Sequence, residues 1–213
     1  MLRHRKRDIA IAVGASVLAG YVDAIGFLSL GGFFVSFMSG NSTRLAVGVA
    51  GLPPEALIAA RLIASFVAGV VLGSLVGAAA KRWRRPAVLM LVAGLLMSAV
   101  IVAMGAPDLA MLLVAAAMGA ENTTFERDGE VSIGLTYMTG ALVKLGQRLA
   151  GAMTGGPKFA WAPYLMLWLG LVGGAVAGAL AWPVVGLAGL WVGVAGALLL
   201  AAIAFLVVRS ESG

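Results

Sequence analysis

No cysteine occurs in the 213 residues, and there is one histidine. The first absence excludes disulfides, thiolate catalysis and Cys-ligated metals. The second leaves only His4, in a basic N-terminal tail where an imidazole is an ordinary solvated side chain. Charge is scarce too: Asp, Glu, Lys and Arg make up 11% of the chain, well below what the surface of a soluble domain requires. Enzyme signatures are also missing. There is no HExxH, no nucleophile elbow, no phosphate-binding glycine loop and no nucleotide fingerprint. The chain is therefore not read as an enzyme, and neither cofactor nor metal is expected. The acidic group Glu121, Glu126, Asp128 and Glu130 reads as a loop with local ion pairs rather than a hard-cation site.

What is present is apolar: 62% of the residues are hydrophobic, in eight segments with almost no hydrophilic span between them. That pattern predicts an all-α polytopic membrane helix bundle. The net charge of +6 comes from short clusters, chiefly residues 3–7 and 81–85. Beside apolar helices these read as cytoplasmic anchors on anionic lipid, not as a nucleic-acid surface. Met1–Asp8 followed by Ile9–Gly20 has the outline of a signal peptide. The apolar stretch runs on without a small-x-small cleavage site, so it is read as a retained first helix.

The expected segments are 9–30, 34–50, 56–80, 86–105, 109–122, 131–150, 160–181 and 184–208. Gly31-Gly32, the 51–55 stretch with Pro53-Pro54, Lys81–Arg85, Ala106-Pro107-Asp108 and Trp182-Pro183 punctuate them. The second segment carries the polar run Ser39-Gly40-Asn41-Ser42-Thr43-Arg44. A hundred residues later Met138, Thr139, Gly140, Lys144 and Leu145 answer Met38, Ser39, Gly40, Arg44 and Leu45. Gly69, Gly73 and Gly77 are likewise answered by Gly170, Gly174 and Gly178, and Gly20 with Asp23 by Gly119 with Asn122. Four-residue glycine spacing lets helices approach closely in lipid, or serves a contact with another copy of the chain. The common offset predicts two related halves: a basic tail at 1–8, a first membrane repeat at 9–106, a second at 107–208, and a tail at 209–213.

If all eight segments cross, the halves are parallel. If 34–50 and 131–150 only dip in and return, six cross and the halves are inverted. With the N-terminus inside, eight crossings place the 81–85 cluster outside, opposite the tail. Six place both clusters inside, together with Arg127, Lys158 and Arg209. Six crossings with two re-entrant segments, and cytoplasmic termini, is the preferred reading.

The residues Gly20-Tyr21-Val22-Asp23-Ala24, Met38-Ser39-Gly40-Asn41 with Thr43-Arg44-Leu45, Glu121-Asn122, and Thr136-Tyr137-Met138-Thr139-Gly140 resemble the YoaK-like family of bacterial multi-pass inner-membrane proteins. The resemblance covers nearly the whole chain. Ala141 and Lys144 depart from the polar residue and arginine such proteins tend to carry. It implies about six helices in the inner membrane, and supplies no substrate or reaction.

Candidate functional residues follow from cost. A carboxylate in hydrocarbon costs about 2.5–3.5 kcal/mol on insertion scales. Asp23 therefore either binds a proton, cation or polar solute, or pairs with Arg44 or Arg61, or sits among the headgroups. Asn122 is its counterpart, with Glu121 beside it. Paired interrupted segments point to a central binding site, for which Ser39, Asn41, Thr43, Thr136 and Thr139 are the candidate lining. The opposing reading is packing, with Gly40 and Gly140 at helix contacts and the hydroxyls bonding the preceding turn. Arg44, Arg61 and Lys144 offer positive charge to an anionic solute, or anchor at the interface. The leading expectation is a small-solute transporter or permease, coupled to protons through Asp23. A passive channel and a membrane scaffold or accessory subunit stand beside it. Partners would be membrane lipids, a small polar or ionic solute and another copy of the chain.

Overall fold

The computed structural model describes residues 6–51, 53–127, 130–131 and 135–211. His4, most of the basic tail, Asp128 and the last two residues lie outside them. The described residues form an all-α membrane helix bundle of eight helices: α1 (Lys6–Ser29), α2 (Met38–Gly51), α3 (Pro53–Ala80), α4 (Arg84–Ala103), α5 (Pro107–Glu121), α6 (Met138–Met153), α7 (Ala162–Val185) and α8 (Leu190–Ser210). Two-residue strands, β1 (Glu126–Arg127) and β2 (Glu130–Val131), make a small hairpin after α5. Three continuous helical stretches, Arg7–Ser29, Pro53–Ala103 and Ala162–Ser210, are long and apolar enough to cross a membrane. The second and third are hairpins folded at short 3-10 turns, Lys81–Trp83 and Gly186–Gly189. Large apolar side chains such as Val49, Leu75, Ile101, Leu180 and Leu206 point outward, as lipid requires.

Two boundaries differ from expectation. Trp182-Pro183 does not turn the chain; Pro183 lies inside α7, two residues before its end. Gly186, at φ 53°, ends the helix, because a left-handed backbone there suits glycine and stops the ladder. The second segment begins as helix at Met38 rather than Phe34, since residues 31–37 form an irregular stretch.

Polar contacts fix which helix ends lie together. Arg85 at the start of α4 bonds Asp8 at the start of α1. Arg7 donates to Ser210 at the end of α8 (3.1 Å), and Trp83 stacks on Phe205. Arg84 pairs with Glu126, just beyond α5, at 3.0 Å. One end of the bundle thus holds the starts of α1 and α4 and the ends of α3, α5 and α8. The other gathers Leu30, Arg61 and Asp108, the end of α1 and the starts of α3 and α5, around a small cavity.

α1 and α7 run parallel: Gly170 meets Val13, Gly174 meets Val17 and Tyr21, and Gly178 meets Tyr21 and Ala24. α3 and α5 do the same, Gly69 on Ala116 and Gly73 on Ala120. A Cβ at Gly20 or Gly174 would collide with a facing backbone carbonyl, and so would one at Gly69 or Gly119. Backbone-to-backbone dispersion therefore holds these pairs, where lipid offers no hydrophobic drive.

This directionality decides the count of crossings. α2 lies between the end of α1 and the start of α3, both at one end of the bundle. α6 lies between the end of α5 and the start of α7, both at the opposite end. Each leaves and returns on its own side, so six helices join the two ends and two segments re-enter. Eight crossings would have put the starts of α1 and α4 at opposite ends, against the Arg85–Asp8 bond.

Candidate functional site

The irregular stretch before α2 is pinned from two directions. After Gly31 and Gly32 (φ 62° and 101°) turn the chain back, the Val35 and Ser36 N–H groups donate to Asp23 Oδ1 at 3.0 and 2.7 Å. The Asn41 side chain grips Phe34, accepting from its N–H at 3.0 Å and donating to its carbonyl at 2.6 Å. A similar tether precedes α6. Thr136 donates to Asn122 Oδ1 from its N–H (3.4 Å) and its hydroxyl (3.1 Å). Ser16 of α1 holds the neighbouring Leu135 carbonyl at 3.4 Å. Both tethered residues then make the same tight turn: Met38 N–H bonds the Ser36 carbonyl, and Met138 N–H the Thr136 carbonyl, at 3.1 and 2.8 Å.

Two short helices consequently begin beside these tethered loops, and their starts face one open cavity of about 430 Å³, at which Ser39, Tyr137 and Thr139 are exposed. Its walls are Ser36, Phe37, Met38 and Ser39 from the first half and Thr136 to Gly140 from the second, with Phe66 of α3 between them. The volume suits on the order of ten waters at about 30 Å³ each, or one small solute. The first-turn N–H groups of a helix have no intrahelical acceptor and carry about half a positive charge together. Five hydroxyl-bearing residues, Ser36, Ser39, Thr136, Tyr137 and Thr139, share the wall with them, and among the described residues no charged side chain does.

The other expected residues are distributed as follows. Asp23 and Asn122 are buried behind the two loops as tethers. Asn41 is a buried clamp outside the cavity wall. Thr43 is exposed, its hydroxyl donating to the Ser39 carbonyl at 3.3 Å within its own helix. Arg44 lies over the Phe33 ring, 4.6 Å from its centroid, and Lys144 is exposed on α6. Arg61 lies beside the small cavity at the far end with Asp108. Gly40 packs against the Phe34 ring, whereas the space beside Gly140 is open; Gly77 lies against the Arg84 guanidinium. Glu121 is fully buried at the end of α5, and among the described residues neither carboxylate oxygen has a hydrogen-bond partner. Of the alternatives for Asp23, the pairing with Arg44 or Arg61 is not the one found; its Oδ1 takes the two backbone N–H groups.

Sequence reasoning missed Ser36, Phe37, Phe66 and Tyr137 as wall residues. Ser36 was legible, since it stands one hundred residues before Thr136, the offset that links the two motifs. Phe66, from a uniformly apolar helix, carried no signal.

A family model described as a protein of unknown function, DUF1275, matches residues 11–204. The chain belongs to the DUF1275 family. A UPF0700 transmembrane protein of Rhizobium meliloti (strain 1021) is 37% identical over 187 residues, covering 84% of this chain and 79% of the relative. No solved structure matches the chain. The DUF1275 match spans both tethers, both short helices and every wall residue of the cavity.

Proposed function

We propose that this DUF1275 protein is a small-solute transporter of the bacterial inner membrane, not an enzyme, with its two halves arranged as inverted repeats. The observation that carries the reading is the cavity between the starts of α2 and α6. Two re-entrant helices entering from opposite ends and starting at one space, whose mainly apolar wall carries the hydroxyls of Ser39 and Thr139, is the arrangement expected of a central transport site. Matching glycines support the inversion, α1 crossing α7 as α5 crosses α3. The bundle end that holds Arg7, Lys81, Arg82, Arg84, Arg85 and Arg209 faces the cytoplasm on this reading, which puts both termini there. Lipid covers the outward apolar faces. Asp23 is the coupling residue: a proton there would weaken its hold on Val35 and Ser36 and loosen the cavity wall.

The test is counterflow into proteoliposomes of labelled amino acids, sugars and small organic acids. It compares the native chain with Gly140→Phe, which fills the cavity from a position where an added Cβ meets nothing. Saturable uptake that responds to a pH gradient and falls at least about tenfold in the variant is expected. Unsaturable flux would make the protein a channel. No flux of any probe, with partner proteins co-purifying, would make it a scaffold and overturn the reading.

A further inference from the structure

Two opposite charges stand unpaired at the bundle end that gathers the end of α1 and the starts of α3 and α5. Arg61 and Asp108 both line its small cavity, yet no ion pair or hydrogen bond joins their side chains, or either of them to another described residue. The matching aspartate shows that the fold can supply a partner. Asp8 stands one hundred residues before Asp108, likewise in the first turn of its helix, and is bonded by Arg85. Asp108 has an arginine in the same cavity wall and does not bond it. Depth gives a second, independent sign. From Arg61 to Lys81 the chain rises about 30 Å at 1.5 Å per residue, the thickness of the hydrocarbon core. With Lys81 at one interface, Arg61 stands at the other, among the head groups. The rest of the cavity wall is apolar, and Ile58 in it and Leu109 next to Asp108 point outward to lipid.

We infer that this groove seats a zwitterionic phospholipid with a primary amine, its phosphate on the Arg61 guanidinium, its ammonium on the Asp108 carboxylate and its acyl chains along the apolar wall. A guanidinium binds phosphate through paired N–H bonds. A primary ammonium donates to a carboxylate, whereas a quaternary one has no N–H to give. An anionic head group without an amine would answer Arg61 but set its negative charge beside Asp108. A soluble zwitterion would leave the apolar wall unused at membrane level. The inference stands independently of the transport reading.

The test titrates the whole protein, purified in detergent and stripped of lipid, with phosphatidylethanolamine, phosphatidylcholine and phosphatidylglycerol of identical acyl chains. Bound lipid is counted by native mass spectrometry. Phosphatidylethanolamine should bind about fivefold tighter than either of the others, the upper range for an exposed ion pair. Asp108→Asn should bring it down to the level of phosphatidylcholine, whose own binding stays unchanged. Arg61→Gln should weaken both by a similar factor and keep their ratio, a split that a loss of folding would not produce. Both residues are exposed, and the comparison of lipids on the native chain needs no variant. Equal binding of phosphatidylethanolamine and phosphatidylcholine, tightest binding of phosphatidylglycerol, or a preference unmoved by Asp108→Asn overturns the inference. Equal affinity for glycerophosphoethanolamine, which has the head group without acyl chains, overturns it as well.

Discussion

The α1–α2 and α5–α6 regions solve one problem with different chemistry. Each must hold an irregular loop inside the bundle so that a short helix can start there, and unsatisfied backbone groups at that depth are costly. The first region spends a carboxylate, Asp23, on two backbone N–H groups and adds the Asn41 clamp. The second uses the neutral Asn122, helped by Ser16 reaching across from α1. A charge is therefore not needed for the tether. The carboxylate is the feature that folding of the loop alone does not require, and on the transport reading it is the group that couples to protons.

Removing the tethers should give the largest effect. Asp23→Ala leaves two buried N–H groups unpaired and should cost about 3 kcal/mol, against about 1 kcal/mol for Asn122→Ala, whose bonds are longer and neutral. Thermal unfolding of the purified protein in detergent would report the gap, and equal losses would break the comparison. Next comes Glu121, whose buried carboxyl lacks a partner among the described residues, where the first half places the buried Val22 beside Asp23. Glu121→Met should stabilise by about 1–2 kcal/mol if the group only fills space, because it removes an unsatisfied polar group at similar volume. Lost flux alongside that gain would assign Glu121 a functional part.

Matched glycines should respond with opposite signs. Gly40→Ala presses on the Phe34 ring that Asn41 clamps, and should lower stability by about 1 kcal/mol. Gly140→Ala meets nothing and should raise it by roughly 0.5 kcal/mol through helix propensity. Smallest is Asp23→Asn, expected to change stability by less than about 1 kcal/mol because an amide oxygen accepts the same bonds. Its mark should appear in the pH response of flux instead.

Much of the bundle was legible because lipid imposes simple rules. Apolar length marked the segments, glycine spacing marked the two close crossings, and the distribution of Lys and Arg favoured six crossings. The errors came where one residue has two physical meanings. Pro183 was read as a turn, but near a helix end its fixed φ is already helical, and Gly186 supplies the stop. Asn41 was read as cavity lining from its place in a polar run, yet its amide is consumed by Phe34. Asp23 was expected to meet an arginine or a ligand, because sequence does not show which backbone groups a re-entrant loop leaves unpaired. Ser36 carried the right offset but none of the polar company that drew attention to Ser39–Thr43.

The central claim is that α2 and α6 enter from opposite sides and meet in the middle. Gly51, at the exit of α2, and Pro157, after α6, are both exposed. Single cysteines at these two positions would be labelled with an impermeant maleimide in intact cells and in inverted membrane vesicles. The account predicts opposite behaviour, Gly51→Cys reacting from outside and Pro157→Cys only from the cytoplasmic side. Labelling of both from the same side would mean that both short helices cross fully, and the two-sided cavity would be lost with the inversion.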